Sequence, residues 1–138
     1  MPEPTKKTIS YVSTAHSYLS SLNLENLFTY SRERNMANCI DGILLFSEGN
    51  FFQIIEGERN KVNQLYARIE KDHRHHNLIK FIDKPTRTLH FSEYDCLFAT
   101  AKKNHNSYEE LCQFIELEKS NAPKEFVKYE YLIHNFLK

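Results

Sequence analysis

The chain has 138 residues, enough for one domain with its own core and too few for a second sizeable one. Eighteen Lys plus Arg balance eighteen Asp plus Glu, so the excess positive charge that drives nonspecific nucleic-acid binding is absent and no direct nucleic-acid partner is expected. No run of about 18 apolar residues and no signal peptide is visible, and Cys39, Cys96 and Cys112 lack any CxxC pairing; neither a membrane span nor a disulfide or zinc framework is indicated, and the expected compartment is the cytoplasm.

Residues 8 to 13 alternate with period two, Ile9 and Tyr11 on one face and Val12 on the other, which predicts a first strand. Leu24, Leu27, Phe28 and Ser31 recur at helical spacing and predict a helix ending near Ala37. Residues 40 to 47 and 50 to 57 are strand-like runs separated by Glu48-Gly49, the signature of an antiparallel hairpin. Val62, Leu65, Tyr66 and Ile69 mark a second amphipathic helix within residues 58 to 72, and residues 78 to 83 and 91 to 99 predict two more strands. The order is βαββαββ, whose first six elements form the α+β, ferredoxin-like arrangement: an antiparallel sheet carrying both helices on one face. Residues 108 to 119 and 125 to 137 predict two additional C-terminal helices, expected to cover the second face of the sheet or a partner. The expected division is residues 1 to 103 as the main unit and 104 to 138 as a helical extension.

Polar residues fall where apolar ones belong at three places. Gln53 shares a face with Phe51 and Ile55 in a strand apolar on both sides, and an unpartnered buried amide costs about 1 to 3 kcal/mol. Leu27, Ser31 and Asn35 are spaced by four, so the apolar stripe of the first helix turns polar toward its end unless its last turn is solvated. Tyr11 places a phenol on the face of Ile9. The first and third strands are central neighbours in the ferredoxin-like order, so Tyr11, Gln53 and Asn35 can converge in a pocket lined by Phe51, Ile55, Leu65 and Ile69. Such a pocket suits a flat heteroaromatic ligand with donors and acceptors on its edge. It holds no nucleophile or acid/base pair, so no enzymatic turnover is expected.

These residues, together with Ser31-Arg32-Glu33-Arg34-Asn35, Asp41-Gly42-Ile43-Leu44 and Gly49-Asn50-Phe51-Phe52-Gln53-Ile54-Ile55-Glu56-Gly57, resemble the BLUF domain, a family of blue-light photoreceptors using flavin, over about residues 8 to 100. The resemblance implies a noncovalently bound flavin, usually FAD with FMN or riboflavin as alternatives, held between two flanking helices. It implies that Tyr11 and Gln53 are the photoactive pair: light triggers electron and proton transfer from Tyr11 to the flavin and rearrangement of the Gln53 hydrogen bonds. Asn35 matches the asparagine binding the pyrimidine edge, and Ser31 a serine near that network. Leu44 and Ile69 match positions packed on the ring, and Arg68, Asp72, Arg74 and His75 positions around its polar edge and tail. Arg34 stands where a number of members have asparagine. Tyr94-Asp95-Cys96 replaces a common Trp-Ser-Met pattern on the last strand, making Tyr94 and Cys96 the expected signal relay. With no effector in the chain, a separate regulator protein and a homo-oligomer are the expected partners.

Two other patterns point to less. Asp72-His73-Arg74-His75-His76 suggests metal ligands, but His73 and His76 are expected at a helix end, where positive charge complements the macrodipole, and no metal is assigned. Glu56 and Glu58 flank a strand-to-helix turn at Gly57, with Glu58 suited to a helix's first turn, so no paired-carboxylate hydrolase is implied. The rival functional reading is a light-insensitive ferredoxin-like module that assembles through its last two helices.

Overall fold

A computed structural model of the chain describes residues 5–16, 20–86, 98–102 and 136. Its strands are β1 (Lys6–Ala15), β2 (Asp41–Ser47), β3 (Asn50–Glu58), β4 (His75–Thr86) and β5 (Phe98–Lys102), and its helices are α1 (Ser21–Ala37), between β1 and β2, and α2 (Arg59–Glu70), between β3 and β4. The strands form one sheet in the order β4-β1-β3-β2-β5. The pairings β1 with β3, β1 with β4 and β2 with β3 are antiparallel, and both helices pack on one face. This is the expected ferredoxin-like α+β core, with β1 and β3 at its centre.

Local chemistry sets the element boundaries. The Ser20 hydroxyl accepts from the Asn23 amide at 3.1 Å and starts α1. Glu58 caps α2 rather than sitting in its first turn, its carboxylate accepting from the Asn60 and Lys61 amides, each at 3.1 Å. The hairpin closes as expected at Glu48-Gly49: their φ values of 51° and 82° give a two-residue turn left-handed at both positions, which matches the twist of the flanking strands. Gly42 holds φ 147°, and a Cβ added there would lie 1.9 Å from the Ile54 carbonyl oxygen, so no side chain fits between β2 and β3.

The last two strands differ from the sequence expectation. β4 runs over His75–Thr86 rather than 78 to 83, pairing with β1 from Ala15 opposite His75 to Lys6 opposite Thr86. Two register shifts, between Ser10 and Tyr11 and between Val12 and Thr14, interrupt its alternation, so period-two reading saw only part of the strand. His75 and His76 therefore open a strand, whereas the helix ends at Glu70; the helix-end placement of His76 is corrected. β5 is described over Phe98–Lys102, running past the expected end at residue 99, and it pairs parallel with β2, Gly42 opposite Phe98. The remainder of the predicted 91 to 99 strand, including Tyr94 and Cys96, lies outside the described residues. So do the predicted helices at 108 to 119 and 125 to 137, except Phe136, a helical residue whose ring lies 5.4 Å from that of Phe52.

The apolar core has two sides. Toward the helices lie Ile9, Leu24, Phe28, Leu44, Ile55, Val62 and Leu65, with Tyr11 and Tyr66 among them. Ile43, Leu45, Phe52 and Ile54, the alternate residues of β2 and β3, are no more than 1% exposed, so the second face of the sheet is covered over β2 and β3, while Ile79 and Phe81 of β4 stay exposed.

Candidate functional site

The strand registers set three side chains abreast. Tyr11 pairs with Gln53 across β1 and β3, and Gln53 with Leu44 across β3 and β2. Period two turns all three toward the helices, and they line a cavity of about 250 Å³ together with Phe51. Helix α1 supplies Leu27, Tyr30, Ser31 and Arg34, the i, i+3, i+4 and i+7 positions of one face. Arg68 and Ile69 come from α2, and Asp72, Arg74 and His75 from the turn into β4.

Inside the cavity the Tyr11 hydroxyl donates to Gln53 Oε1. The phenol is 3% exposed, and its burial, with the adjacent Tyr66 adding to it, pushes its pKa well above the ordinary tyrosine value. The proton therefore stays on Tyr11 at any ordinary pH. The Tyr66 ring meets Tyr11 edge-on at 5.8 Å. Gln53 is 2% exposed, and its oxygen finds the partner that a buried amide requires.

Asn35 is the second buried carboxamide. Its side chain is fully buried, so the polar end of the Leu27, Ser31 and Asn35 face is not solvated. Its Oδ1 accepts from Arg34 Nε at 3.3 Å, while its Nδ2 has no partner. Asn35 lines a cleft of about 60 Å³ that shares Arg34 and Arg68 with the larger cavity. A buried amide donor left unbonded costs about 1 to 3 kcal/mol, which an acceptor on a bound ligand would recover.

The mouth of the cavity is charged. Arg74 and Asp72 form a forked pair, Nη2 to Oδ2 at 2.6 Å and Nε to Oδ1 at 3.0 Å, and the Arg74 amide also donates to Oδ1 at 2.9 Å. The Arg74 side chain holds the Asp72 carboxyl below the usual carboxylate range. His75 spends both ring nitrogens within the protein: Nε2 lies 2.7 Å from the Ile69 carbonyl and Nδ1 2.7 Å from Ser13 Oγ. A carbonyl can only accept, so Nε2 carries the proton and, in the neutral ring, Nδ1 accepts from the Ser13 hydroxyl. His75 thus borders the cavity with its ring and has no free nitrogen to offer there.

Of the expected site residues, Tyr11, Ser31, Arg34, Leu44, Gln53, Arg68, Ile69, Asp72, Arg74 and His75 line the cavity, and Asn35 lines the adjoining cleft. Ile55 belongs to the core rather than the cavity, and Leu65 borders only the cleft. Tyr30 and Ser13 were missed. Tyr30 stands one turn before Arg34, and Ser13 shares the Tyr11 face two residues on, so spacing carried a signal for both. Among the described residues no three His, Cys, Asp or Glu side chains converge to hold a metal, and no helix is long and apolar enough to cross a membrane.

The family described as sensors of blue light using FAD, BLUF, matches residues 7–96. The blue light- and temperature-regulated antirepressor BluF of Escherichia coli (strain K12) is 36% identical over 59 residues, which cover 43% of this chain and 15% of that protein. The chain thus matches only a small part of that relative's length. The solved structure titled BlsA ground state is 27% identical with a TM-score of 0.63, over 72% of this chain and 66% of that one. The dark-state structure of BlrB, a BLUF protein, superposes with a TM-score of 0.69 over 95% of this chain and 96% of that one; at 22% identity it shows the shared fold.

Proposed function

Because this chain belongs to the BLUF family, the sensors of blue light using FAD, we propose that its cavity holds the flavin ring between α1 and α2 with Tyr11 and Gln53 as the photoactive pair. Blue light is the stimulus and FAD the cofactor of the family. The single observation that carries the site assignment is the buried hydrogen bond from Tyr11 to Gln53 opening on that cavity. The residues suit the group: a mostly apolar slot under Leu44 and Ile69 for a flat ring, the unpaired Asn35 Nδ2 for a carbonyl on its pyrimidine edge, Ser31 beside the network, and the exposed Arg68 and Arg74 toward a phosphate-bearing tail.

Bound there, the flavin supplies blue-light absorption and, once excited, a strong oxidant. Burial keeps the Tyr11 proton on its oxygen in the dark and aims it at Gln53 Oε1, so Tyr11 is placed to give up an electron and a proton together. Gln53 would relay that proton and exchange donor for acceptor by rotation or tautomerisation; with the electron and a proton then returned to Tyr11, the strand is left with a rearranged hydrogen-bond network and no net turnover. His75 keeps β4 against α2 and β1 through Ile69 and Ser13, holding the wall behind Tyr11.

The chain acts as a sensor module, and its output passes to a separate regulator protein, as the name of the light-regulated antirepressor suggests. Tyr94 and Cys96 relay the change, and residues 104 to 138 form the extension that meets the regulator or a second copy; the contact of Phe136 with Phe52 supports its seat on the sheet's second face. Absorption spectra of the purified protein in the dark, after blue illumination and during recovery test the reading. Flavin bands that shift reversibly to the red are expected. A colourless protein that refuses added FAD would overturn it.

A further inference from the structure

Two neighbouring residues at the end of α1 make an unequal pair. The Asn35 carboxamide is fully buried and has two ends of opposite hydrogen-bonding sense. Arg34 Nε donates to its oxygen at 3.3 Å, and the NH2 end has no partner. A flipped carboxamide would turn its NH2 donor on the guanidinium, donor against donor, and leave a buried oxygen facing inward. Arg34 is held in turn, with its guanidinium carbon 5.3 Å from the centre of the Tyr30 ring one helical turn earlier. It lines both the cavity and the cleft beside Asn35.

We infer that Arg34 is a positioning residue that locks the Asn35 carboxamide with its NH2 toward the ligand, so that the site selects a ring edge presenting a carbonyl acceptor. The inference rests on reading the cavity as the flavin site and adds a role to Arg34 that the pocket lining alone does not assign. Tyr30 is the second part of the device, since its ring limits where the guanidinium can lie. A plainer role competes: Arg34 is the basic residue in the last turn of α1, where any cation favours the helix dipole. Lysine separates the two, because it keeps the charge and loses the fixed Nε donor.

The test titrates riboflavin and FAD into the flavin-stripped full chain carrying Arg34→Lys, Asn35→Ala or both. Arg34→Lys is expected to weaken both flavins about tenfold, about 1.4 kcal/mol, and to raise the frequency of a pyrimidine-edge carbonyl stretch of the bound flavin as donation to it weakens. In the Asn35→Ala background the lysine is expected to cost nothing more, since the arginine acts through that carboxamide. Wild-type affinities and an unmoved stretch in Arg34→Lys would overturn the inference in favour of the helix-end role. A loss confined to FAD would overturn it in favour of a phosphate contact, and an equal loss in the Asn35→Ala background would show that Arg34 acts independently of Asn35. If the lysine variant does not fold, Arg34→Gln, which can still donate to Asn35 Oδ1, must retain near-wild-type affinity for the inference to stand. A wild-type chain that takes up neither flavin would instead overturn the site reading on which it rests.

Discussion

Gln53 was conspicuous in the sequence because an amide between phenylalanines and isoleucines has a cost to meet, and Tyr11 meets it. Gln53→Leu removes the acceptor of the Tyr11 proton, so the light-induced red shift should vanish while the flavin stays bound; a difference spectrum with wild-type amplitude would refute the pairing. Tyr11→Phe should suppress the ordinary photocycle by removing the proton. The same burial makes an alkaline prediction. Tyr66 is pushed up to about 12, chiefly by burial, and Tyr11 is raised further by the same cause. Raised folded-state values mean that the folded chain holds these protons more tightly than the unfolded one, so the stabilisation is fully present below the ordinary tyrosine value of about 10 and is lost as pH rises beyond it. Unfolding by urea should become easier above about pH 10, with the share of tyrosinate absorbance that is missing from Tyr11→Phe and Tyr66→Phe rising in step with loss of structure, and that share appearing in the intact fold near pH 10 would contradict it. By spacing alone Asn35 was an anomaly on the buried face, its ligand role coming from the family resemblance, and Arg34 as the partner of its oxygen is adjacent in sequence and reaches it only through the geometry of the last helical turn.

At the scale of elements, the hairpin and α2 were legible because their signals are local. Glu48-Gly49 specifies its own turn, and Val62, Leu65, Tyr66 and Ile69 are all buried as their spacing requires. Helix α1 reads weakly because Ser31 and Asn35 occupy its buried face, a departure that only the cavity beneath it explains. β4 reads short because two register shifts break its alternation, and the parallel pairing of β5 with β2 is not legible because the two strands are distant in sequence. Gly42 belongs to this scale too. Its φ of 147° and the 1.9 Å approach of the Ile54 carbonyl leave no room for a methyl group, so Gly42→Ala should destabilise the fold by more than about 3 kcal/mol, by strain and displacement of the β2 and β3 pairing. A urea midpoint close to wild type would show that the strands can yield at that point.

For the molecule as a whole, the two faces of the sheet divide the work. One face with α1 and α2 encloses the cavity, and the other buries Ile43, Leu45, Phe52 and Ile54 with Phe136 on Phe52. Phe136→Ala should lower stability by about 2 kcal/mol, less than a fully buried phenylalanine because this one is only half-buried, and should leave flavin colour unchanged. An unchanged urea midpoint would remove Phe136 from the cover of that face, and loss of colour would tie the second face to the site. By itself the sequence determined the periodicities, hence the order of the first six elements and the central adjacency of β1 and β3, together with the polar residues set among apolar ones, because these follow from spacing along the chain. Only the tertiary structure decided that Tyr11 and Gln53 are directly opposite, that His75 has both nitrogens taken by Ser13 and Ile69, that Asn35 is left with one free donor, and that β5 lies parallel to β2. The Tyr11–Gln53, His75–Ser13 and β5–β2 pairings depend on register between segments tens of residues apart, where a shift of one residue turns every side chain of a strand to the other face, and the others depend on how the ends of α1 and α2 pack.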